Sequence, residues 1–155
     1  MRYFEDIEVG ETGTFGEETL TTEEIVAFAE QWDPQRFHVD EAAAAESIHG
    51  EVIASGLHTI GVAMRNWVDA WLDDVANLGA RYIQRVEFHD PVHPGDTLVV
   101  RGEVLDATVP DHTDSHGYLD YELTAAVDGE PAMTMVTDLV VQRRGDDPED
   151  TETDG

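Results

Sequence analysis

The sequence predicts an α+β domain in which an antiparallel sheet wraps around one long central helix. Three observations point there. The length, 155 residues, suits one domain with one core. Apolar residues between Ser55 and Val75 recur every three or four positions, the helical period. After Asn77 the period changes to two and stays there until Arg143.

Each element has its own signal. Residues 10–20 carry Gly10, Gly13 and Gly16 with Thr and Phe between them, a turn and a short strand. Thr21 opens a Thr-x-x-Glu capping box closing on Glu24, and Leu20 and Ile25 occupy the staple positions. Ile25, Phe28, Ala29 and Trp32 then form one stripe, and Pro34 stops the helix. Asp40 is placed to cap a short helix over 41–46, and Ser55 a longer one. In the longer helix Leu57, Ile60, Gly61, Met64, Trp67, Val68, Trp71, Leu72 and Val75 share a face. That helix should run for about 20 residues, or ~30 Å. Gly61 on its apolar face implies that another element passes close. Strands are expected at 80–89, 96–108, 117–127 and 132–143, with connections at 91–95 and 109–116 and a tight hairpin at Asp128-Gly129. A long apolar helix followed by a long antiparallel meander is the plan of a hot-dog fold. Its open sheet edges invite another subunit, so at least a homodimer is expected.

Composition restricts the partners. Eight Arg and no Lys face 35 Asp and Glu, a formal net charge of −27. Nucleic acid and anionic lipid are therefore not expected partners. The absence of cysteine excludes a disulfide scaffold, a thiolate zinc site and a cysteine nucleophile. No apolar run approaches the ~20 residues of a membrane span, and Met1-Arg2-Tyr3-Phe4-Glu5-Asp6 does not read as a signal peptide. A cytoplasmic protein is expected. Residues 145–155 hold six carboxylates and no apolar residue, so they should form a disordered acidic tail on a single domain spanning 1–144. Without that tail the body still carries −21. Such a lysine-free acidic surface resembles that of proteins from salt-accumulating halophiles.

Several catalytic patterns are missing. No GxSxG elbow, GxGxxG or P-loop occurs. His89 and His93 flank Pro91, which breaks the helix that an i, i+4 ligand pair needs, and His112 and His116 lie in a carboxylate-rich loop. All four read as solvated loop histidines, and no metal site is expected. His49 and His58 either line a pocket or stand as polar positions near helix ends.

The stretch Trp32-Asp33-Pro34-Gln35-Arg36-Phe37-His38 differs. It sets a carboxylate and an imidazole five residues apart, just after a helix, in a turn stiffened by Pro34. A carboxylate and a neutral imidazole facing one water suit general acid–base addition to a double bond. Burial by Trp32 and Phe37 should push the Asp33 pKa up and the His38 pKa down. The same pair also suits a plain structural role, with Asp33 capping the next turn and His38 packing on the core. Spacing by itself favours that plainer role.

Asp33 to His38, followed by Val39-Asp40 and later by Ile53-Ala54-Ser55-Gly56-Leu57-His58-Thr59, resembles the MaoC-like dehydratase, or (R)-specific enoyl-CoA hydratase, family. That family's signature is an Asp, then x-Asn-Pro, an aliphatic residue and His, with a Gly opening the central helix. The resemblance covers about residues 5–143, and its specific part runs from Phe28 to Met64. It implies the hot-dog fold already expected from periodicity. It also implies that Asp33 and His38 hold and activate the catalytic water, and that the Gly56 N–H, beside Ser55, binds the thioester oxygen. An N–H at a helix start is a free donor at the positive dipole end, which agrees. Trp32, Phe37 and His58 are the implied pocket residues. Pro34-Gln35-Arg36 stands in place of x-Asn-Pro, Phe37 replaces the aliphatic residue, and Trp32 stands where Gly often precedes the Asp. These departures predict an acyl pocket of altered shape.

The leading expectation is reversible syn addition of water to a trans-2-enoyl-CoA, giving an (R)-3-hydroxyacyl-CoA. No cofactor is expected beyond the coenzyme A of the substrate. The alternatives are a hot-dog acyl-CoA thioesterase, which would need a carboxylate from the central helix, and a non-catalytic acyl-thioester-binding dimer. Asp69, Asp73 and Asp74 lie far along that helix for the first of these. Arg36, Arg65, Arg81 and Arg85 are equal candidates for meeting the coenzyme's phosphates. The charge itself yields a first prediction. Self-repulsion in a −21 body is screened only at high ionic strength, so the thermal midpoint should climb steeply from tenth-molar to multimolar KCl. A midpoint flat over that range removes the halophile reading.

Overall fold

The computed structural model describes residues 1–145. The acidic tail expected at 145–155 therefore lies, apart from Gly145, outside the described residues. The elements are β1 (Thr12–Thr19), α1 (Thr22–Trp32), α2 (Arg36–Val39), α3 (Glu41–Glu46), α4 (Gly56–Ala70), β2 (Asn77–Phe88), β3 (Thr97–Thr108), β4 (His116–Val127) and β5 (Glu130–Gln142).

Local signals account for most boundaries. The Thr21 side chain accepts from the Glu24 N–H at 3.2 Å, and the Glu24 carboxylate accepts from the Thr21 N–H at 3.2 Å, completing the capping box. Asp40 caps α3 through the Ala43 N–H, and Ser55 caps α4 through the Leu57 N–H at 3.2 Å. Between β4 and β5, Asp128 and Gly129 have φ of 51° and 83°. Two consecutive left-handed residues make the tight turn that matches strand twist.

The central helix departs from expectation in length and in phase. It holds 15 residues, about 22 Å at 1.5 Å per residue, and gives way to a 3-10 turn at Leu72–Asp74. Asp69, Asp73 and Asp74 at its negative end disfavour continuation. Trp71 leaves the helix and packs its ring 4.7 Å from Tyr121. Thr59, Val62, Ala63 and Trp67 are the buried positions, whereas Leu57 and Gly61 are exposed. Nothing among the described residues lies within 4 Å of where a Gly61 Cβ would stand, so the close neighbour expected there is not found. The sheet covers only one side of the helix, and the Leu57–Gly61 side stays open.

The sheet has five antiparallel strands in the order β1-β3-β4-β5-β2. A simple four-strand meander is thus corrected. β2 pairs with the far side of β5, from Asn77 opposite Val141 to Phe88 opposite Met133, and the chain then crosses to β3. This crossing carries 88–92 past the start of α4, where the Ala54 N–H donates to the Val92 carbonyl at 2.9 Å. The core lies between α4 and the sheet: Leu98, Val100 and Val104 from β3, Leu119, Tyr121 and Leu123 from β4, and Met133, Met135 and Leu139 from β5. Among the described residues no helix is long and apolar enough to cross a membrane.

Trp67 anchors the helix on this sheet, with 1% exposure and its ring 4.7 Å from that of Tyr121. Trp67→Ala should cost about 3–5 kcal/mol of unfolding free energy, read from denaturant midpoints at fixed salt.

Candidate active site

A buried four-residue strip, Val52-Ile53-Ala54-Ser55, organises the site; its exposures are 2, 7, 7 and 0%. Buried backbone polar groups need partners, and these come from the helical segments on either side. The Ile53 N–H donates to the Phe37 carbonyl at 3.1 Å, and the Ile53 carbonyl lies 2.6 Å from His38 Nδ1. The Ser55 hydroxyl donates to Asp33 Oδ2 at 2.7 Å. Asp33 itself is the residue that ends α1, its N–H donating to the Ala29 carbonyl at 2.8 Å. Both ends of the Asp33–His38 turn are therefore fastened to one strip.

His38 is buried, and its tautomer follows from its partner. A carbonyl only accepts, so Nδ1 carries a proton, and in the neutral imidazole the lone pair then lies on Nε2. Nε2 lies 3.4 Å from Asp33 Oδ2. The Asp33 carboxyl is held below the ordinary aspartate range by the Ser55 hydrogen bond and then by the one from Gln35 Nε2 at 2.8 Å, which together outweigh the opposing effect of burial. The expected rise is thus corrected: two donors outweigh the small desolvation. Trp32 supplies none of it, because that ring is 63% exposed.

The dyad opens into a cavity of about 400 Å³. Asp33, Gln35, His38, Ile53, Ser55 and Gly56 are among its lining residues, together with Phe88, Pro91 and Val92. Gly56 begins α4, so its N–H has no intrahelical acceptor. The Phe88 ring occupies the space a Gly56 Cβ would need, so only glycine lets that ring and this N–H share the cavity. The Ser55 hydroxyl has one hydrogen and gives it to Asp33. Ser55 therefore positions the carboxylate and does not donate to a thioester oxygen.

Trp32, Phe37 and His58 do not line this cavity. Phe37 packs edge-on against His38 at 4.5 Å, supporting the imidazole from behind. His58 stacks on Phe28 at 4.4 Å, and burial keeps its pKa low. In their place the cavity takes Leu57, His49, His89 and Asp90. His49 carried an open pocket reading. The reading of His89 as a solvated loop histidine is thus corrected, since it lines the cavity with Phe88 and Asp90, brought there by the end of β2 and the crossover that follows. His89 Nε2 lies 2.8 Å from the Thr134 hydroxyl and His93 Nδ1 3.0 Å from Glu51, so the two do not converge. Among the described residues no cluster of three or more His, Asp or Glu is placed to hold a metal ion.

An antiparallel sheet wrapped on one helix, with a carboxylate–imidazole pair beside that helix's start, defines a hot-dog domain with a cleft at that end. Residues 7–127 match the MaoC like domain, and the chain belongs to that family. It is 41% identical over 102 residues to Protein MaoC of Klebsiella aerogenes, covering 64% of this chain and 30% of that protein. It is 37% identical over 107 residues to the 3-hydroxybutyryl-CoA dehydratase of Methylorubrum extorquens, covering 67% of this chain and 64% of that protein. The chain thus spans less than two thirds of these relatives. The crystal structure of the MaoC-like dehydratase from Rhodospirillum rubrum superposes with a TM-score of 0.83 at 30% identity, covering 94% of this chain and 99% of that one.

Ser55→Ala removes an α4 cap and an Asp33 donor together. Stability at neutral pH should fall by about 1 kcal/mol from the lost cap alone. The part due to Asp33 has a definite sign. A depressed carboxylate pKa stabilises above the unfolded value and ceases to do so as pH falls through the folded value. The gap between variant and wild-type midpoints should therefore narrow in acid. A gap independent of pH contradicts the Asp33 contribution.

Proposed function

We propose that this chain is an acyl-thioester hydratase/dehydratase acting on a trans-2-enoyl-CoA to give an (R)-3-hydroxyacyl-CoA. The observation that carries this reading is that Asp33 Oδ2 and His38 Nε2 lie 3.4 Å apart in a cavity that Gly56, the first residue of α4, also lines. A water between two acceptors gives each a hydrogen and turns its lone pairs toward the substrate. As its oxygen bonds to C3, one proton passes to His38 Nε2. The C2=C3 electron pair moves to the thioester oxygen, where the Gly56 N–H at a helix start stabilises the enolate. Collapse of the enolate takes the proton from His38 at C2, so water's OH and H add to the same face. Asp33, whose pKa is lowered, stays ionised at neutral pH, orients the water and stabilises the imidazolium. The relative named 3-hydroxybutyryl-CoA dehydratase supports this chemistry. The thioesterase alternative is less well supported, because Asp69, Asp73 and Asp74 do not line the cavity.

The reading includes a cytoplasmic homodimer or higher homo-oligomer that needs no cofactor beyond the substrate's coenzyme A. β2 is an edge strand whose Leu78, Tyr82, Ile83 and Phe88 are 50–59% exposed, a surface suited to a second copy.

Crotonyl-CoA tests the reaction through loss of absorbance from the conjugated thioester. Asp33→Asn and His38→Gln should each lower kcat by ~10²–10⁴-fold and leave KM nearly unchanged. The double variant should lose little more than the worse single one, since both groups serve one water. Near-normal hydration by a folded Asp33→Asn protein, or thiol release in place of hydration, overturns the proposal.

A further inference from the structure

In a chain with 35 carboxylates and eight arginines, an arginine without a carboxylate is the exception. Arg2 pairs with Glu11, Arg65 with Asp69, Arg81 with Asp138, Arg85 with Glu87, Arg143 with Glu5 and Arg144 with Asp6, at distances from 2.7 to 3.3 Å. Among the described residues only Arg36 and Arg101 have no carboxylate within 4 Å. Arg101 lies in a shallow groove with Glu103 and Glu122 on the β1–β3–β4 side of the sheet. Arg36 lies in the dyad's own turn, between Gln35, which lines the cavity and is exposed, and buried His38. Arg36 itself is exposed and is the chain neighbour of the cavity-lining Gln35.

We propose that Arg36 contacts a phosphate of the substrate's coenzyme A. The inference rests on the hydratase reading, which places the enoyl carbons at Asp33 and His38. The pantetheine arm of such a thioester leads out through the mouth, past Gln35 and Arg36. A surface of this charge repels a polyanion, and a guanidinium not already neutralised is the attraction available on that path. Its planar fork also suits phosphate oxygens. The three other arginine candidates are committed: Arg65, Arg81 and Arg85 each hold a carboxylate.

The test is direct binding of coenzyme A and of pantetheine, which lacks every phosphate, to wild type, Arg36→Gln, Arg36→Lys and Arg101→Gln. Calorimetry is run at the lowest salt that keeps the protein folded, because multimolar salt screens the contact. Arg36→Gln should weaken coenzyme A binding about fivefold and leave pantetheine binding unchanged, with partial recovery in Arg36→Lys. Arg101→Gln, which removes the same charge elsewhere, should bind like wild type. Unchanged coenzyme A binding in Arg36→Gln, an equal loss for pantetheine or in Arg101→Gln, or no measurable coenzyme A binding by wild type overturns the proposal. Crotonyl-CoA turnover is scored separately. If wild type fails to hydrate it while coenzyme A binding still depends on Arg36, the hydratase reading falls and the phosphate contact stands.

Discussion

The hydrogen bond from Ser55 to Asp33 joins the end of one helix to the start of another, 22 residues later, and the site depends on it. Ser55 is fully buried, so its hydroxyl cannot turn to water as an alternative partner. The same oxygen accepts from the Leu57 N–H, which fixes where α4 begins and hence where the Gly56 N–H points. Carboxylate, imidazole and helix-start donor are in this way set relative to one another by a single strip of backbone. Catalytic geometry needs such support, since a loose first contact forfeits much of the gain from orientation.

Ionisation in the cleft follows from the same contacts. A buried carboxylate without donors would take up a proton. Asp33 has Ser55 and Gln35 as donors, which favour its charged form, while His38 is tied to the Ile53 carbonyl through Nδ1. The two groups thus differ in their contacts: the carboxylate takes two side-chain donors, and the imidazole is tied to a backbone carbonyl. Phe37 packed against the imidazole completes the support without entering the cavity.

Sheet topology supplies the opposite wall. β2 could have continued directly into β3 as a hairpin; pairing with β5 instead brings Phe88 over Gly56 and sends Val92 beneath Ala54. The strand that builds this wall is also an exposed edge. Pocket shape and any surface shared with a second copy are consequently linked through one element.

Local physics made much of this legible in the chain itself. The Thr21 and Ser55 caps and the Asp128-Gly129 turn are short-range features, satisfied by neighbours a few residues away, and the change of period after Asn77 is visible along the chain itself. What remained open involves long-range contact. Helical spacing marks an apolar stripe on α4, but only the sheet's position decides that Val62 and Ala63 are buried and Gly61 is not. Aromatic residues beside Asp33 suggested a raised pKa, yet Trp32 points to solvent and the donor that governs the carboxylate stands 22 positions away. Phe88, His89 and Asp90 join the cavity through a crossover that no local pattern encodes. The sequence by itself therefore determined the elements and the fold class, because these rest on local hydrogen bonding and periodicity, while Asp33 and His38 stand out in it only through their resemblance to the family's signature. The tertiary structure alone decided the direction of the Asp33 pKa shift, the part of the cavity that comes from the crossover and which arginines have no carboxylate among the described residues, because each depends on groups brought together only when the chain closes.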